Sequence, residues 1–98
     1  MGVYKLSRKA EIDLAEMYEF GIYKFGLLHA QKYFLCMHDV FQVLAENPNL
    51  GRDASIFIDD LKRFTYQAPT IFYLPLAEGL FILRVLSQRM NYETHLIF

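Results

Sequence analysis

The apolar residues of this chain change their spacing once, and that change constrains the fold more than any single motif. In the first half they recur every three or four residues: Ala10, Leu14, Met17, Tyr18, Gly21 and Phe25, then Ala30, Tyr33, Phe34, Met37, Phe41 and Leu44. Such spacing puts them on one face of an α-helix. Gly26 lies between the two stripes and suits a helix C-terminus. Asn47-Pro48 ends the second stripe, because the residue before proline disfavours helical angles. Three strand-like runs follow at 62–67, 70–76 and 79–86. Two amphipathic helices joined by a short link form an antiparallel hairpin. Neither helix buries its stripe alone, so the strands supply the second layer.

Finer signals fit this order. Val3–Leu6 alternates like a short strand, and Ser7 after it offers an N-cap oxygen. Glu11 and Asp13 follow early in the first helix, where the dipole favours carboxylates. Gly21 on the apolar stripe admits a close neighbouring helix, at a cost in helix propensity. The second helix is expected over 28–46. Residues 53–60 read as a loop or short turn. The run Thr70–Leu74 is nearly all apolar, as a central strand should be, and Pro75 marks a strand end or an edge. Ala77-Glu78-Gly79 reads as a hairpin turn. The predicted class is α+β: an N-terminal strand, then a helix hairpin packed on a small antiparallel sheet, with residues 1–98 as one domain.

Composition limits the function classes. An apolar fraction of 54% with 21% charged residues describes a compact chain rather than a disordered one. A net charge of −1 gives no general attraction to nucleic acid. The charge is uneven: residues 1–60 hold six Lys/Arg against nine Asp/Glu, and residues 61–98 hold four against two. The strand region is therefore the place for an anionic partner. No run is apolar and long enough to span a membrane, and Met1–Leu6 lacks the pattern of a secretory signal. A cytoplasmic location is the expectation. Cys36, the single cysteine, lies in an apolar helical pattern and is expected to pack as a small hydrophobe.

Several residues merit a role. Arg84 interrupts the apolar strand Leu80–Leu86, where a charge needs a partner or solvent. Alternation puts it on the face of Leu80, Ile82 and Leu86, where it binds a partner's anion, pairs with a helix carboxylate, or packs its stem while its head reaches water. Arg89 follows that strand and is placed to contact phosphate or carboxylate. Lys62 and Arg63 open the first hairpin strand; with Arg84 nearby, that face would suit an acidic peptide or RNA. Gly51-Arg52 sits in the turn after Pro48, with Arg52 expected to fix the crossover into the sheet. Tyr66 and Tyr73 read first as packing aromatics. His29, His38 and His95 have no ligand-like spacing, and no metal or cofactor is expected. There is no Gly-rich phosphate loop and no G-x-S-x-G.

The order of elements resembles the RelE/ParE toxin superfamily, and the ParE branch within it. The stretches that carry the likeness are Tyr4-Lys5-Leu6-Ser7 with Ala10 and Asp13-Leu14, Ala30 with Tyr33, and Asn47-Pro48 with Gly51-Arg52. Further along come Arg63-Phe64 with Ile71-Phe72-Tyr73, and Ile82-Leu83-Arg84-Val85-Leu86 with Arg89-Met90. Asn91 stands where an acidic residue is expected. The resemblance implies a plasmid-stabilisation type toxin of a type II toxin–antitoxin module. Such a toxin inhibits DNA gyrase by binding rather than catalysis and is held in a hetero-oligomer by a ParD-like antitoxin. Arg63, Tyr66, Arg84, Arg89 and Met90 are then the expected target or antitoxin contacts. The RelE branch implies instead a ribosome-dependent mRNA endoribonuclease, with Arg63, Arg89 and Tyr92 as its catalytic set. A non-toxic, partner-binding remnant is the third reading. Direct sequence-specific nucleic-acid binding is not expected.

Overall fold

The computed structural model describes residues 3–65 and 69–87. Strand β1 (Val3–Leu6) leads into helix α1 (Arg8–Phe25) and helix α2 (Leu27–Glu46). A single 3-10 turn, Pro48–Leu50, connects to strands β2 (Arg52–Asp53), β3 (Lys62–Thr65), β4 (Thr70–Leu76) and β5 (Gly79–Leu86). The α+β class, the helix hairpin and the three long C-terminal runs are as the periodicity predicts. Gln67 and Tyr66, expected to continue β3, lie outside the described residues.

The sheet has the order β1-β5-β4-β3-β2. Its C-terminal four strands are antiparallel to one another, whereas β1 joins β5 in parallel, with Val3 opposite Gly79 and Leu6 opposite Ile82. Gly79 makes this approach possible. Its φ is 155°, and a Cβ there would lie 1.6 Å from the Val3 carbonyl oxygen, a distance that no side chain tolerates. The two-residue strand β2, within a region read as turn, follows from its pairing with β3 rather than from any local pattern.

α1 begins where Ser7 accepts a hydrogen bond from the Ala10 N–H (3.0 Å) and donates one to the Leu83 carbonyl (2.7 Å). The cap thus also ties helix to sheet. Gly26 takes a φ of 91° between the helices, a conformation that favours glycine. Gly21 packs against Ala30, and a Cβ added to it would stand 3.4 Å from the Ala30 Cβ. This is the close helix approach that its place on the stripe implies.

Two apolar clusters lie on the two faces of the sheet. Under the helices, Leu14, Met37, Phe41 and Leu44 pack on Ile71, Tyr73, Leu80, Ile82 and Val85. Beyond the sheet, Ala54 and Leu61 cover Phe72 and Leu86, and Phe57 meets Phe72 edge-on. Pro75 sits inside β4, past the last β3 pairing at Tyr73, so its missing N–H faces a local edge.

Two expectations are corrected. Cys36 is exposed. The outer face of α2 mixes apolar residues such as Leu35 and Val43 with Gln31, Lys32 and Asp39, and only one stripe of the helix meets the sheet. Leu86 does not share a face with Leu80 and Ile82, because β5 carries a bulge. Tyr73 pairs with Ile82 while Phe72 pairs with Arg84, leaving Leu83 as the extra residue. The alternation therefore slips, Val85 enters the helix-side core and Leu86 turns to the far side.

Candidate interaction surface

The bulge decides what Arg84 does. A bulge breaks the hydrogen-bond ladder, and here α1 completes it. Asp13 Oδ2 accepts hydrogen bonds from the Val85 N–H (3.0 Å) and from Arg84 Nε (2.7 Å), while Asp13 Oδ1 accepts from the second guanidinium nitrogen (2.8 Å). The side chains are 6% exposed for Asp13 and 14% for Arg84. The hydrogen bond to Asp13 raises the Arg84 pKa above its ordinary value, outweighing burial. Arg84 is thus an ion-pair partner of a helix carboxylate, one of the three roles open to it in the sequence. Among the described residues, no buried side-chain nitrogen or oxygen lacks a hydrogen-bond partner.

Asp13 was readable for more than its place in the first turns. It falls three residues after Ala10 and four before Met17, within the apolar stripe. A carboxylate on a buried stripe and a lone arginine in an apolar strand are each costly alone and tolerable together.

Tyr73, not Arg52, fixes the crossover into the sheet. Its hydroxyl accepts from the Gly51 N–H (2.9 Å) and donates to the Pro48 carbonyl (2.7 Å). Burial raises its pKa, and the Gly51 N–H partly opposes this. Gly51 is required there, since a Cβ would meet the Tyr73 hydroxyl at 2.3 Å. Arg52 is exposed on β2, directly opposite Arg63 on β3. The structure therefore brings Arg63 beside Arg52, while Arg84 is held on the helix side. Arg89, Met90 and Tyr92 lie outside the described residues.

Beside the ion pair runs a cavity of about 720 Å³ between the helix hairpin and the sheet. Met17, Tyr18, Gly21, Tyr33, Phe34 and Met37 form its helical wall, and Pro69, Val85 and Ser87 its sheet wall. Asp13 and Glu16 give it an acidic edge. Phe20 and Phe25 line its open end, and Phe25 is 61% exposed. Tyr23, Leu27 and Leu28 continue this apolar tip of the hairpin, Leu28 at 80% exposure. Contiguous exposed apolar surface on a small soluble chain marks an interaction site. A groove between helices and sheet, walled by aromatic and methionine side chains, has the form that receives an amphipathic segment. Among the described residues, no helix is long and apolar enough to cross a membrane.

Comparison with known proteins agrees with this architecture. The toxin ParE1 of Caulobacter vibrioides is 28% identical over 96 residues, covering 98% of this chain and 99% of that protein. The toxin ParE1 of Mycobacterium tuberculosis is 28% identical over 94 residues, covering 95% and 96%. A solved structure described as the chromosomal ParDE toxin–antitoxin system from P. aeruginosa superposes with a TM-score of 0.75 at 21% identity, over 89% of this chain and 96% of that one. The family model for the ParE toxin of the type II toxin–antitoxin system parDE matches residues 4–92, and the chain belongs to that family.

Proposed function

We propose that this chain is a cytoplasmic toxin that acts by binding DNA gyrase and is neutralised by a ParD-like antitoxin whose amphipathic segment docks in the groove beside the helix hairpin. The observation that carries the antitoxin half of this reading is the apolar groove with Phe20 and Phe25 at its mouth. Burying such surface in a partner supplies roughly 25 cal/mol per Å² of apolar area. The gyrase half draws its support from family membership. Action by binding rather than catalysis fits the sequestration of Arg84: a guanidinium that donates two hydrogen bonds to Asp13 is committed to the fold.

The test is a gyrase reaction with purified protein, supercoiled plasmid and ATP, stopped with detergent and protease. Linear DNA that appears only with the toxin and disappears when the antitoxin is added supports both halves. Growth arrest with unchanged plasmid but cut messenger RNA would replace gyrase by the ribosome.

A further inference from the structure

Arg52 and Arg63 are cross-strand partners on β2 and β3, at the edge of the sheet. Residues opposite one another in an antiparallel pair share a face, with Cβ atoms about 4.5–5.5 Å apart, and like charges there destabilise the pairing. Neither guanidinium has a carboxylate partner among the described residues. The neighbouring Asp53 is engaged elsewhere, its two oxygens accepting from the Ser55 N–H (3.2 Å) and hydroxyl (3.0 Å). The two arginines line a cavity of about 450 Å³ together with Leu50, Phe64, Thr65 and Thr70. Among the described residues, none lines both this cavity and the groove beside the helices.

We propose that Arg52 and Arg63 form a two-armed site for one carboxylate of an acidic partner segment. A carboxylate between them converts the repulsion into two charge-assisted contacts, and the planar guanidinium fork matches its two oxygens. The surroundings select a local anion over a polyanion. Asp53, Asp59 and Asp60 are exposed on the adjoining loop, where they repel a phosphodiester backbone running along the edge, and the chain as a whole carries −1. The inference holds whichever protein supplies the carboxylate, so it stands apart from the gyrase reading.

The test is calorimetric titration of the full chain at low ionic strength with an acetylated, amidated hexapeptide that carries one glutamate among neutral residues, and separately with hexathymidylate. The expected result is saturable peptide binding, weakened roughly tenfold or more in Arg52→Gln and in Arg63→Gln, unchanged in the exposed control Arg8→Gln, and partly retained in Arg63→Lys. Both glutamine variants should melt at or above the parent, because a repulsion has been removed. The proposal is overturned if the peptide does not bind saturably or if Arg8→Gln weakens it equally. Melting of the glutamine variants below the parent overturns it too, by making the arginines structural. Tighter, arginine-dependent binding of hexathymidylate would reassign the site to phosphate.

Discussion

Arg63 and Arg84 are both paired with Phe72, one from each side of β4. They stand in the same row of the sheet and meet opposite fates. Arg84 lies beneath α1, its side chain only 14% exposed, where a charge must be matched, and Asp13 matches it with both carboxylate oxygens. Arg63 lies toward the edge, half-buried, and a second arginine stands opposite. Burial makes the first a structural group, since an unmatched charge there costs several kcal/mol. The second, half-buried at the sheet edge with no carboxylate partner among the described residues, is left available for a partner. The same side chain thus serves the fold or an interaction according to what lies above it.

The sharpest way to break this contrast is Arg84→Ala, which strands the Asp13 carboxylate and the Val85 N–H arrangement. It should cost about 3–5 kcal/mol, lowering the melting temperature by more than about 10 °C for a domain of this size. Replacing both partners, Asp13→Leu with Arg84→Met, should recover most of that loss in the same thermal denaturation. A single variant melting within a few degrees of the parent would make Arg84 as dispensable as Arg63. Tyr73→Phe comes next. It leaves the Gly51 N–H and the Pro48 carbonyl without their shared hydroxyl and should cost about 1–3 kcal/mol in denaturant unfolding.

The same tyrosine sets a pH signature. Its folded pKa lies above the ordinary 10.0 because burial disfavours the phenolate. The neutral form is therefore stabilised by folding. Its contribution is fully present below about pH 10 and is lost as pH rises beyond that, so the alkaline fall in melting temperature should be shallower in Tyr73→Phe. Tyr4, raised by burial and by Asp39, contributes the same sign and remains in the variant.

Phe25→Glu sharpens the contrast from the groove side. Exposed at the groove mouth, it should change stability by no more than about 0.5 kcal/mol. It should weaken antitoxin binding by roughly tenfold or more, an effect of about 1.5–3 kcal/mol for one lost apolar contact residue, measured by titration of the two purified proteins. The smallest expected effect is Arg63→Gln, within about 0.5 kcal/mol and stabilising in sign, because it relieves repulsion from Arg52.

Much of the architecture was legible because local pattern and tertiary packing agree. The stripes Ala10–Phe25 and Ala30–Leu44 declare helices by period, Ser7 and Pro48 declare their limits, and the apolar run at Thr70–Leu74 declares a central strand. Gly21 announced a close helix crossing, and Ala30 is the residue that approaches it. These features depend on neighbours within a few positions, so a linear reading captures them.

What only the folded chain decided depends on partners far apart in sequence. The extra residue Leu83 has no local signature, because a bulge is a mismatch between two strands rather than a property of one. It moved Leu86 to the far face and placed Val85 where Asp13, 72 residues earlier, caps its N–H. The parallel docking of β1 rests on the space left by Gly79 beside Val3. The exposure of Cys36 follows from which stripe of α2 meets the sheet, since apolar residues also stand on its outer face. The neighbour of Arg63 likewise emerged only when β2 formed against β3, giving it Arg52 rather than Arg84. The sequence by itself determined the two helices and the longer strands, though not β2, and that Arg84 required a partner or solvent. Asp13 stood out on the apolar stripe, but only three-dimensional register joined the two, because matching a charge depends on distance in space and these residues lie 71 positions apart.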